Sequence, residues 1–304
     1  VLSSGESVTL PEVVLTYSSH GFEEMTHHYH DAIRNHLLRG EYVHKHRPIL
    51  INNWEATYFD FTGEKIFDIA KKASSLGIEM LVLDDGWFGQ RDDDCGGLGD
   101  WYVNEKKLGC TLKELVDKIN GLGMKFGIWF EPEMINEKSN LYQLHPDWMV
   151  RVPGRKGTKA REQYVLDYTR KDVVDGIEKM MRAIIDSANI EYIKWDMNRS
   201  LAAVYSAQLS PEHMGEFHYR YVLGLYSLLE RLTQRYPHIL FEGCSGGGGR
   251  YDLGMMYFHP QIWCSDDTDA IERLKIQYGS SFLYPIGCAG SHVSAVPNLS
   301  LIHI

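Results

Sequence analysis

From Pro48 onward the chain repeats one unit, a short apolar run followed by a stretch with helical spacing. The apolar runs are Pro48–Trp54, Met80–Leu83, Lys125–Phe130, Tyr164–Asp167, Tyr192–Asp196, Ile239–Gly243, Gln261–Ser265 and Ile286–Val293. Between them lie Glu64–Ser75, Leu112–Leu122, Asp172–Ser187, Glu212–Arg235 and Ile271–Tyr278. Their apolar residues recur at helical intervals, even where β-branched residues such as Val173 and Val174 intrude. A β-then-α repeat predicts parallel strands joined by right-handed crossovers. Eight such runs predict an α/β fold, a (β/α)8 TIM-type barrel, with a doubly wound open sheet as the alternative.

The polar residues choose between the two. Nearly every run ends in them: Asn52-Asn53-Trp54, Asp84-Asp85, Glu131, Asp167, Asp196, Glu242 and Asp266-Asp267. An open sheet concentrates its site at one switch point, whereas a barrel gathers all C-terminal strand ends around one mouth. The Gly/Asp-rich segment from Asp85 to Thr111 predicts a lid or binding loop.

The first 46 residues break the pattern. Ser7–Tyr17 alternates like a strand pair interrupted at Pro11, and Phe22–Leu38 reads as a helix with Glu23-Glu24 at its start. The expected organisation is a β-sandwich remnant over 1–20, a connecting helix and linker over 21–46, and the barrel over 47–298.

Net charge is −10, from 41 acidic against 31 basic residues, and no basic stripe is present, which argues against a nucleic-acid partner. No apolar run is long enough to span a bilayer. Five cysteines, Cys95, Cys110, Cys244, Cys264 and Cys288, show no zinc-type spacing and read as free thiols of a reducing compartment. His27, His28 and His30 lack the i, i+4 spacing of a helical metal site and read as surface or packing residues.

Within Lys194-Trp195-Asp196-Met197-Asn198-Arg199, strand alternation puts Lys194, Asp196 and Asn198 on one face. Asp196 and Asp266 are the carboxyl pair selected on physical grounds, because each ends an apolar strand among polar neighbours. Glycosidic cleavage commonly uses two carboxyl groups, one to attack or assist and one to donate a proton. Lys194 would hold Asp196 ionised. Asp267 and Asp269 are candidates to cap the following helix. Trp54, Trp87 and Trp129 could stack against a sugar or pack the rim. Gly246–Gly249 lacks the Gly-Lys-Ser/Thr of a phosphate loop, so close backbone approach to a substrate is the better reading.

Five segments then carry a family resemblance: Leu83-Asp84-Asp85-Gly86-Trp87-Phe88-Gly89, Trp129-Phe130-Glu131-Pro132-Glu133-Met134, the Lys194–Arg199 run, Glu242-Gly243-Cys244-Ser245-Gly246-Gly247-Gly248 and Cys264-Ser265-Asp266-Asp267-Thr268-Asp269. With them the chain resembles the bacterial α-galactosidases of glycoside hydrolase family 36 from about residue 1 to Asn298. The resemblance implies a retaining enzyme with Asp196 as nucleophile and Asp266 as acid/base. It implies that Asp84 and Asp85 bind galactose hydroxyls, that Trp54 and Trp129 wall the subsite, and that Arg161, Lys194, Asn198, Cys244 and Gly246 complete the contacts. Melibiose, raffinose and related α-galactoside oligosaccharides are the implied substrates, with no metal or organic cofactor. A cytoplasmic location and a homo-oligomeric parent, a tetramer in related enzymes, are also implied.

Family members carry a β-sandwich before the barrel and a β-domain after it. The expectation is therefore a partial chain, incomplete at its last barrel helix, with weak or no activity as written and an active full-length parent. Leu299–Ile304 match a translation of a transposon end used in DNA library preparation and are expected to be a non-native tail. Alternatives on the same site are an α-N-acetylgalactosaminidase or an α-galactosyl transferase. Outside that class stand a metal-dependent barrel hydrolase using Asp84, Asp85 and Glu131, and a non-catalytic sugar binder.

Overall fold

The computed structural model describes residues 4–294. Its main sheet has seven parallel strands in the order β1-β2-β3-β6-β7-β8-β9. These are β1 Leu50–Asn52, β2 Met80–Leu83, β3 Lys125–Phe130, β6 Tyr192–Trp195, β7 Leu240–Gly243, β8 Gln261–Trp263 and β9 Ala289–Gly290. Helices alternate with them along the chain. The sheet curls as an incomplete (β/α) barrel, and no ladder joins β9 to β1 among the described residues. Near that seam, His292 Nε2 and Glu55 Oε1 lie 3.2 Å apart.

Two faces of the same strands form two different interiors. Met80, Val82, Tyr192 and Leu240 point into the barrel and close its floor with Tyr42. The intervening residues Leu81, Leu83, Phe126, Ile128, Ile193 and Phe241 point outward into the large core under the helices. Alternation with period two dictates this division. The next inward positions toward the C-terminal ends are polar: Asn52, Asp84, Lys194 and Glu242. Gly127 is required inside the floor, because a Cβ there would lie 2.6 Å from the Tyr192 ring.

The helices obey the same logic. Leu112–Asn120 buries Leu112, Leu115, Val116 and Ile119, the i, i+3, i+4, i+7 face, and starts with a Thr111/Glu114 capping box. Lys171–Ile185 buries Val173 and Val174 along with Ile177, Met181, Ile184 and Ile185, so the β-branched pair belongs to the packed face.

Several expectations are corrected. Tyr164–Asp167 is not a barrel strand: β5 (Tyr164–Val165) pairs antiparallel with β4 (Met134–Ile135), and β3 pairs directly with β6. An apolar run specifies burial, not pairing direction, and here both runs lie off the main sheet. Ile286–Val293 gives a 3₁₀ turn at Ile286–Cys288 and only two strand residues. Ser7–Tyr17 pairs with no strand among the described residues, and Val13, Leu15 and Tyr17 are each more than 80% exposed. The segment read as a helix over Phe22–Leu38 forms a helix over Phe22–Ala32 that runs into a π turn at Ile33–Leu37. It packs on the barrel's outside, where His30 Nε2 meets the Ser281 carbonyl at 2.8 Å. Residues 295–298 of the 47–298 span and the Leu299–Ile304 tail lie outside the described residues.

Candidate active site

The ladder between β3 and β6 continues one step past β6, where the Asp196 N–H donates to the Phe130 carbonyl at 2.8 Å. That bond fixes the backbone from which the Asp196 carboxylate enters the barrel mouth. Four N–H groups donate to it. Met197 N (2.8 Å) and Gly246 N (3.4 Å) reach Oδ1, while Trp129 Nε1 (3.2 Å) and Asn198 Nδ2 (2.9 Å) reach Oδ2. The set suits an acceptor-only group.

The glycine segment after β7 lies between the two candidate carboxyl groups. Gly246 faces Asp196 through its N–H. Gly247 has φ of +88°, and a Cβ there would stand 2.8 Å from the Asp266 nitrogen. Backbone close approach is thus what these glycines provide. Asp266, three residues past β8, accepts the Trp263 indole N–H at 2.7 Å and is half-buried. Cys244, buried at the end of β7, lies in the field of Asp196, Lys194 and Asp266; burial, then Asp196, pushes its thiol well above the usual range.

The Asp84-Asp85 pair divides its work. Asp84 Oδ2 accepts from Asn52 Nδ2 at 2.5 Å and Lys194 Nζ at 3.1 Å. Lys194 therefore pairs with Asp84, not directly with Asp196 as expected. Burial opposes its charge, but Asp84 and then Cys244, Asp196 and Glu242 raise its pKa well above the ordinary lysine value. Asp85 turns away from this cluster and forms a buried fork with Arg91, at 3.0 Å (Nε–Oδ1) and 2.8 Å (Nη2–Oδ2). Arg91 Nη1 also reaches the Gly96 carbonyl at 3.1 Å. The Asp85–Thr111 segment is accordingly a packed rim with Trp87, Phe88, Leu98 and Trp101 buried. An arginine in a Gly/Asp-rich loop reads as solvated by default, so sequence reasoning missed Arg91.

Behind Asp196 lie two more buried carboxyl groups. Glu131 accepts from Asn198 N at 2.5 Å and Gln163 Nε2 at 3.0 Å. Burial and the neighbouring Asp196 push its pKa up to about 8. Glu133 collects Trp195 Nε1 (3.0 Å), Tyr221 Oη (2.8 Å) and Arg250 Nη1 (3.1 Å). Arg250 Nε in turn donates to Ser245 Oγ at 2.7 Å, which ties the glycine segment to this buried pair. The Glu-x-Glu spacing after β3 was the available signal for Glu133; nothing in the sequence paired it with Arg250.

The tryptophans are reassigned. Trp87 is fully buried and donates to the Trp129 carbonyl at 3.0 Å. Trp129 is also buried and serves Asp196 as a donor, not as an open platform. Trp54 remains partly exposed at the end of β1, edge-on to Tyr58 and Phe59. Arg161 is not brought to this cluster. It is exposed at the tip of an Ala160–Gln163 turn, where it and Glu162 hold positive φ. Asp269, as expected, caps the following helix by accepting from Ile271 N and Glu272 N. Asp84, Asp85 and Glu131 each meet a different donor and do not converge as a ligand set. Beside Asn198 and Gly246 a cavity of ≈ 410 Å³ opens, walled by Met197, Leu201, Tyr221 and Leu225.

The chain and its fold are similar to known proteins. The Melibiase family matches residues 7–303. The chain is 57% identical over 297 residues to the bifunctional α-galactosidase/sucrose kinase AgaSK of Mediterraneibacter gnavus, covering 98% of this chain and 31% of that protein. It is 55% identical over 298 residues to α-galactosidase AgaA of Geobacillus stearothermophilus, covering 98% and 41% respectively. A crystal structure of an AgaA variant in complex with raffinose superposes with a TM-score of 0.90 at 54% identity, over 92% of this chain and 39% of that one. The chain thus spans less than half the length of these relatives. It belongs to the Melibiase family, with the bacterial α-galactosidases of glycoside hydrolase family 36.

Proposed function

We propose that this chain is the catalytic barrel of a retaining α-galactosidase that removes terminal galactose from raffinose-type oligosaccharides. The observation that carries the reading is the convergence of four N–H donors on Asp196 at a barrel strand end. Such a carboxylate is held in one orientation by its donors, as a nucleophile requires. Asp266, with one fixed donor and partial exposure, suits a group that gives up and regains a proton.

In the first step an Asp196 oxygen bonds to the anomeric carbon as the glycosidic C–O bond breaks. The Asp266 proton goes to the departing oxygen. In the second step Asp266 takes a proton from water, the water oxygen bonds to the anomeric carbon, and Asp196 leaves as carboxylate. Asp84 and Lys194, paired inside the mouth, would meet the sugar hydroxyls, with Trp54, Asn198, Cys244 and Gly246 around them. Asp85 and Trp129 act on that site through Arg91 and Asp196 respectively. The complexes of AgaA variants with raffinose and stachyose support the substrate class.

The test is to trap the full-length protein with a slow fluorinated α-galactosyl substrate and map the label. Label on Asp196 and first-formed product of α configuration are expected; label elsewhere, or β product, overturns the assignment. The five unpaired thiols support a cytoplasmic location. A homo-oligomer belongs to the same proposal and is checked by light scattering.

A further inference from the structure

The helix Ala270–Ser281 inverts the usual rule for a surface helix. It leaves Ile271 and Leu274 64% and 68% exposed, while Arg273 is 3% exposed and is its one buried residue. Arginine is almost never fully buried unless paired, yet no carboxylate faces this guanidinium within ion-pair distance among the described residues. Its acceptors are neutral: Nε donates to the Asp267 carbonyl at 2.7 Å and Nη2 to the Ser265 carbonyl at 2.6 Å. Nη1 meets Cys264 Sγ at 2.8 Å and the Gly290 carbonyl at 3.3 Å. The two short bonds grip the backbone on either side of Asp266. The guanidinium also lies 4.8 Å from the centre of the Trp263 ring, whose indole N–H holds the Asp266 carboxyl.

We infer that Arg273 is a positioning residue for Asp266. It fixes the backbone that carries the carboxyl and the indole that orients it, and it ties both to β9 through Gly290. A planar fork is needed to reach carbonyls on two sides while stacking on a ring; a lysine ammonium supplies a point charge and no plane. The inference rests on the acid/base role proposed for Asp266. It predicts a loss confined to reactions in which the leaving oxygen needs a proton.

The experiment compares Arg273→Lys, Arg273→Met and Asp266→Ala in the full-length protein. It measures kcat/KM on raffinose, whose leaving group must be protonated, and on dinitrophenyl α-galactoside, whose leaving group need not be. Rates are normalised to sites titrated by the fluorinated inactivator, so unfolded molecules do not count. Asp266→Ala is expected to lose about 10²–10⁴-fold on raffinose and little on the dinitrophenyl substrate. Both Arg273 variants are expected to lose about 10–100-fold on raffinose, again sparing the activated substrate. Equal losses on both substrates, or no loss on raffinose, in both Arg273 variants overturns the inference while leaving the role of Asp266 intact. Equal losses in Asp266→Ala overturn the acid/base reading itself, and the inference with it.

Discussion

At the end of β6, Asp196 is 6% exposed and accepts four N–H groups; at the end of β8, Asp266 is half-buried and accepts one indole. The surroundings differ in the same sense. Behind Asp196 stand the fully buried Glu131 and Glu133, with the Asp85–Arg91 fork nearby on the same rim. Behind Asp266 stands a buried arginine that meets carbonyls and a ring. One rim immobilises a carboxyl group by enclosing it with donors. The other fixes the backbone and leaves the carboxyl itself lightly held. Two carboxyl groups at strand ends are thereby given different surroundings, one enclosed and one open, as the two roles proposed for them require.

The largest test of this contrast removes the enclosed group. Asp196→Ala in the full-length protein is expected to lower kcat on an aryl α-galactoside by at least about 10⁴-fold; substantial residual turnover would break the assignment of the β6 rim. Next, Arg91→Met leaves Asp85 buried without its cation. Loss of one partner of a buried pair should destabilise by about 3–5 kcal/mol, read as a lower urea midpoint at unchanged m. A smaller effect would mean that the Asp85–Arg91 pair does not hold this rim together.

The comparison is sharpened by removing one indole donor from each side. Among the described residues, Trp263→Phe takes the single fixed donor from Asp266, whereas Trp129→Phe leaves three on Asp196. On raffinose, per titrated site, Trp263→Phe is expected to cost about tenfold or more and Trp129→Phe less, since one charge-assisted bond contributes roughly 1.5–3 kcal/mol. The reverse order would contradict the contrast.

The smallest effect concerns Glu131. Its pKa lies at about 8 in the fold, above its ordinary value of 4.5, because burial and Asp196 disfavour a second charge. Between those values the unfolded chain has released this proton and the folded chain keeps it. Its contribution therefore falls as pH rises through that window, by up to about 1.4 kcal/mol per unit, and levels off above it. Glu131→Gln should flatten the decline in urea stability between pH 5 and pH 8. An unchanged slope would mean that Glu131 is ionised beside Asp196 in the fold.

Much of this was legible in the chain. Asp196 and Asp266 stand out because each follows an apolar run that does pair as a strand of the main sheet. The inward set Met80, Val82, Asp84 follows from alternation alone. Tyr164–Asp167 misled because a two-residue antiparallel pair and a barrel strand present the same apolar run. The indole of Trp129 reads identically as platform or donor until its partner is known. Arg91, Arg250 and Arg273 carried no signal, since a lone arginine in a loop or helix is solvated by default.

The sequence by itself determined which residues of a strand share its inward face, because covalent spacing and the two-residue period of a strand place them there whatever the partners are. Only the tertiary structure decided who holds whom. Lys194 reaches Asp84 across 110 residues and Arg250 reaches Glu133 across 117. Local propensity carries no information about such meetings. They are set by where the packed strands and helices bring their ends, and by the cost of leaving any of these charges buried alone.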